Sequence, residues 1–108
     1  MKSEQEYVLD AVDDVRAEIE TFRDVCVAAI ATVEEAGKRE LADRLRTSAS
    51  RSLAEWYRAY SVTLVAASRH ALGETSLAAV VASARELVRD IDRAVDSLRA
   101  ELGLDEET

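Results

Sequence analysis

Residues 52–72 read SLAEWYRAYSVTLVAASRHAL and lie near the centre of a 108-residue chain. This stretch holds the only tryptophan, Trp56, and the only histidine, His70. Its apolar positions recur at steps of three and four, which indicates an amphipathic α-helix. These positions are Leu53, Trp56, Tyr60, Leu64, Ala67 and Ala71. Because large aromatic side chains contribute most to burial, we expect Trp56 and Tyr60 to lie at the centre of the core.

The central helix is apolar on more than one side, since Tyr57 and Val62 fall outside this stripe. A helix face that is apolar requires a partner to cover it. We therefore expect the helix to be contacted from two directions.

The periodicity extends backwards, so the central helix is predicted to span residues 38–72. One run weakens this prediction, because residues 47–52 are rich in serine. Ser52 and Glu55 have the spacing of a capping box, a pattern typical of helix starts. A break near Ser50, which would give four helices, stays open as an alternative.

Two further helices flank the central one. A capping box formed by Ser3 and Glu6 predicts the start of the first helix, which we place at residues 4–36. Its apolar positions follow a heptad pattern, typical of long helices that pack side by side. The third helix is predicted over residues 75–102, with Gly37, Gly73 and Gly103 as helix terminators.

The fold class predicted from these segments is all-α. Three long helices of similar length with short connections favour an antiparallel up-down-up bundle. We expect one domain over residues 1–104, followed by an acidic, solvated segment at residues 105–108. The chain contains no proline and only three glycines, which favours uninterrupted helices.

Charge is distributed unevenly along the chain, whose formal net charge is −8. Residues 1–36 have a net charge of −7, residues 37–72 of +4 and residues 73–108 of −5. A basic helix between two acidic ones favours the correct neighbours in an antiparallel bundle. The overall acidic balance makes nucleic acid an unfavourable partner, because phosphate binding requires a basic surface.

The start of the central helix nevertheless offers a candidate polyanion site. Its basic residues are Lys38, Arg39, Arg44, Arg46 and Arg51. Glu40 and Asp43 are spaced to neutralise Arg44 and Arg46 within the helix. Binding of nucleic acid or another polyanion through this strip is therefore the alternative function.

A surplus of apolar residues in the first helix suggests self-association. Residues 25–31 are apolar around the whole helix, yet in a hairpin they face the polar residues 44–50. A second copy of the chain is the simplest cover, because symmetric dimers are the commonest oligomers. The predicted homodimer or partner interface consists of Val25, Val27, Ile30 and Ala31.

Catalytic, metal and cofactor sites are not predicted. The single cysteine, Cys26, and the single histidine provide too few ligands for zinc. A di-iron bundle requires glutamate three residues before histidine, and Ala67 occupies that position before His70. One cysteine fits a reducing compartment, and no uncharged run approaches the ~18 residues of a membrane span. We expect a soluble cytoplasmic protein, not an enzyme, that acts as an interaction or scaffold protein through protein-protein contacts.

Overall fold

A computed structural model describes residues 1–103, which are all-helical and contain no strand. Helix α1 spans Glu4–Glu35, α2 spans Arg39–Ala71 and α3 spans Leu77–Glu101. The three helices pack together, as the periodicity predicts. None of these helices is long and apolar enough to cross a lipid bilayer. The predicted acidic segment at residues 105–108 lies outside the described residues.

The predicted signals for helix ends are present. The hydroxyl of Ser3 accepts a hydrogen bond from the backbone N–H of Glu6 at 3.2 Å. In return, the carboxylate of Glu6 accepts one from the backbone N–H of Ser3 at 2.8 Å, which completes the capping box. Gly37 and Gly73, with φ of +80° and +77°, follow the ends of α1 and α2.

Helix α2 is continuous through its serine-rich run, so residues 1–103 contain three helices and not the alternative four. A serine inside a helix costs only about 0.5 kcal/mol relative to alanine, which flanking packed residues offset. The hydroxyl of Thr47 bonds to the carbonyl of Asp43, one turn earlier, at 3.2 Å. Such bonds within the helix satisfy hydroxyl groups without ending it.

Helix α1 is the central element of the core. Nine of its residues are buried, compared with four in α3 and two in α2. Among the largest fully buried side chains are Ile19 on α1 and Ile91 on α3. The expectation that Trp56 and Tyr60 occupy the centre is wrong, because both are only partly buried and pack at its edge. Since α2 and α3 make few contacts with each other, α1 is the helix covered from two sides.

Contacts at both ends of α1 locate it against α2. Glu4 Oε1 lies 2.9 Å from His70 Nε2, near the end of α2. At the other end, Glu34 pairs with Arg46, near the start of α2. The Cα atoms extend over 54 × 27 × 15 Å, so the molecule is elongated and nearly twice as wide as it is thick. This flattened packing leaves one long side of α2 uncovered.

Candidate interaction surface

The uncovered side of α2 carries a row of large apolar residues, which we name the α2 stripe. Its members are Tyr57, Leu64, Val65 and Leu72, with exposed fractions of 42%, 41%, 56% and 74%. Ser61 and Ser68 lie between them on the same face by helical spacing. Apolar side chains that share one face and stay in water are typical of a binding surface.

The stripe exists because α2 is apolar on more than one side and packs through only one. Among its residues, Ala42 and Thr63 alone are fully buried. Leu64, which the periodicity places with Trp56 on the packed stripe, lies at the edge of that stripe and is exposed instead. We expected α2 to be covered on two sides. Within residues 1–103 only one side of α2 is covered.

A basic ridge runs beside the α2 stripe. It consists of Arg44, Arg51 and Arg58, which recur every seven residues and are all exposed. Residues seven apart drift by only about 20° around a helix, so the three guanidinium groups project from one side. Within residues 1–103, none of the three forms an ion pair.

The structure divides the predicted polyanion strip. Lys38, Arg39 and Arg44 line one shallow depression, and Arg44 and Arg51 line the next. Arg46 differs from the others, because it pairs with Glu34 and also contacts Asp43 at 3.0 Å. The hydrogen bond with Glu34 raises the pKa of Arg46 and neutralises its charge locally.

The predicted dimer interface does not lie on one face. Val25 is partly buried and packs against the core, and Ile30 is partly buried at a cleft between the helices. Val27 and Ala31 are exposed on the outer side of α1. The set is split because its members are only one to six residues apart and therefore span most of the helix circumference.

The cleft beside Ile30 has a volume of about 250 Å³ and is lined by all three helices. Phe22 forms part of its wall and meets the ring of Trp56 edge-on, with centroids 6.1 Å apart. The indole Nε1 of Trp56 is buried and has no hydrogen-bond partner among the described residues. Cys26 also lines the cleft, and burial raises the pKa of its thiol, which keeps it neutral near pH 7.

The sequence analysis did not predict a pair of acidic residues between α1 and α3, Glu18 and Asp92. Glu18 is partly buried, and its Oε1 has no hydrogen-bond partner among the described residues. Hydrogen bonding to Asp92 through the protonated carboxyl group, burial and the nearby carboxylate charges raise the pKa of Glu18 to about 7. The available signal was positional, since Glu18 adjoins Ile19 and Asp92 adjoins Ile91, the two buried isoleucines. A carboxyl group next to a core position on each helix can meet its counterpart across the interface.

His70 is largely enclosed, with 11% of its side chain exposed. Its Nε2 contacts Glu4, while Nδ1 is buried without a partner among the described residues. Within residues 1–103, no group of three or more histidine, cysteine or acidic side chains is arranged to hold a metal ion. The chain matches no family model, no curated protein and no solved structure.

Proposed function

We propose that this protein is a non-catalytic interaction protein of the cytoplasm that assembles as a homodimer through the α2 stripe. The observation that carries the proposal is the row of four large apolar side chains that α2 presents to solvent. A stable interface takes about 800 Å² from each partner. That area is roughly a tenth of the 7109 Å² accessible surface of the chain.

The distribution of charge favours a second copy of the chain as the partner that covers the α2 stripe. The basic ridge beside the stripe lacks ion-pair partners within residues 1–103. Helix α1 is strongly acidic, because Glu4–Glu35 contains ten acidic and two basic residues, a net charge of −8. A copy that places acidic residues of α1 beside Arg51 and Arg58 complements the ridge while it covers the stripe.

The proposal includes the antiparallel, up-down-up order of the helices. It is supported by the contact of Glu4 with His70 and by the pairing of Glu34 with Arg46. Each contact joins opposite ends of α1 and α2. In this arrangement Leu9, which is half exposed, lies at the same end of the molecule as Leu64 and Leu72.

The test is the molar mass in solution at micromolar concentration, measured by light scattering. We expect twice the 11.9 kDa of one chain. Val65→Asp should lower the mass to that of a single chain, because it places a charge in the covered stripe. Val27→Asp is the matched control, because Val27 is exposed to a similar degree on α1.

Three outcomes oppose the proposal. A parent protein that stays monomeric at micromolar concentration excludes the homodimer. If Val27→Asp dissociates the dimer and Val65→Asp does not, the interface lies on the outer side of α1, at Val27 and Ala31, as the sequence predicts. A dimer that survives both substitutions uses neither surface.

Polyanion binding is the second candidate function. It is favoured by Lys38, Arg39, Arg44 and Arg51, which are exposed and form no ion pair within residues 1–103. Affinity for heparin that falls steeply with added salt, and falls further in Arg44→Glu, would support it. Arg46→Glu serves as the comparison, because Arg46 is already paired and should contribute less.

A further inference from the structure

The cleft between the three helices lies at the end of the molecule where α1 ends and α2 begins. Helix α1 supplies Phe22, Cys26, Ala29 and Ile30 to it, and the start of α2 and the end of α3 supply the other walls. Its position differs from that of the α2 stripe, which lies on the outer side of the helix. The cleft is therefore a separate feature of the molecule.

Small side chains at facing positions account for the cleft. Ala29, Ala49 and Ala94, one from each helix, line it, whereas isoleucine and valine fill the seam closer to the middle of α1. Apolar atoms along such a space lack the close neighbours that they have in a packed core, so an apolar guest restores attractive contacts. Apolar cavities of about 150 Å³ bind molecules the size of benzene.

Polar groups occur on the same walls. Ser48, Ser52 and Ser97 line the cleft, and Glu101 of α3 adds a carboxylate. A guest oxygen that hydrogen-bonds a serine hydroxyl on these walls is held in one orientation and gains affinity. The volume of 250 Å³ lies below the ~300 Å³ lower bound of drug-sized pockets, which limits the guest to a small molecule.

We propose that the three-helix cleft binds a small, mainly apolar molecule that carries one hydrogen-bonding oxygen, with the chemistry of a medium-chain alcohol. The alkyl part lies along Phe22, Ile30 and Leu98, and the oxygen bonds to the serine hydroxyls. This site is independent of the proposed dimer, because none of its lining residues belongs to the α2 stripe.

The experiment is a titration of the full chain with 1-octanol. Trp56 is the only tryptophan and packs edge-on against Phe22, which lines the cleft, so its fluorescence reports binding, and calorimetry gives the stoichiometry. We expect saturable binding of one molecule per chain. Ala49→Leu fills the cleft and should weaken binding by at least about tenfold without lowering the melting temperature.

The matched control is Ala54→Leu, which makes the same change at an exposed position of α2 and should bind octanol like the parent. Ala94→Leu fills the cleft from α3 and replaces Ala49→Leu if that variant does not fold. Absence of saturable binding by the parent overturns the proposal. Equal binding by the parent and a folded cleft-filling variant also overturns it, because the molecule then binds elsewhere.

Discussion

Glu18 on α1 and Asp92 on α3 bring two carboxyl groups together across the interface of the two helices that contribute most to the core, and hydrogen bonding to Asp92 raises the pKa of Glu18 to about 7. Protonated Glu18 can donate a hydrogen bond to Asp92, whereas ionised Glu18 has no proton to donate. Once Glu18 ionises, two like charges face each other at a partly buried position, with Asp14 nearby on α1. The packing of α1 on α3 is therefore sensitive to pH.

The stability of the protein should fall as the pH rises from about 4.5 to about 7. In the folded chain the pKa of Glu18 is raised from the ordinary 4.5 to about 7. Between these two pH values the folded chain therefore binds more protons than the unfolded chain. The free energy of unfolding then decreases from about pH 4.5 to pH 7. Glu18→Gln keeps a donor towards Asp92 at every pH and should be more stable than the parent at pH 8, by up to about 1 kcal/mol.

Urea denaturation at pH 5 and pH 8 measures this difference. Glu20→Gln, at an exposed position of α1, removes the same charge and should keep the pH dependence of the parent. If Glu18→Gln and the parent lose the same free energy of unfolding between pH 5 and pH 8, the Glu18–Asp92 pair does not cause the pH dependence.

The sequence was sufficient for the local features of the fold. Helix periodicity and end signals such as Ser3 with Glu6 depend on residues a few positions apart, so they predict three helices and their ends. It was insufficient for deciding which helix is central. The stripe through Trp56 resembles the seam through Ile19, and periodicity does not tell whether one neighbour or two cover it. For the same reason the α2 stripe and the Glu18 pair emerged only from the packing.

The central position of α1 predicts unequal costs for equal substitutions. Ile19 is fully buried, whereas Ile30 on the same helix is partly exposed at the cleft. Ile19→Ala should lower the free energy of unfolding by about 3–5 kcal/mol, since it leaves a cavity in the packed core. Ile30→Ala should cost about 1–2 kcal/mol, since less apolar surface is lost. Equal costs in chemical denaturation would contradict this packing.

The two capping-box patterns of the sequence should respond differently to mutation. Ser3→Ala removes a cap that is formed and should cost about 1 kcal/mol in thermal or chemical unfolding. Ser52→Ala lies inside continuous α2, where alanine has the higher helix propensity, and should leave stability unchanged or slightly higher. A loss at Ser52 as large as that at Ser3 would indicate a helix start near Ser50 in solution.

The turn between α2 and α3 depends on backbone conformation at Gly73 and not on space. Gly73 has a φ of +77°, and a side chain built there meets no atom within 4 Å. Gly73→Ala should therefore destabilise the protein by about 1 kcal/mol, the cost of a left-handed conformation for an L-residue. Gly73→Asn should cost less, because asparagine adopts this conformation more readily. If both variants lose the same stability in urea denaturation, bulk at the turn rather than φ determines the effect.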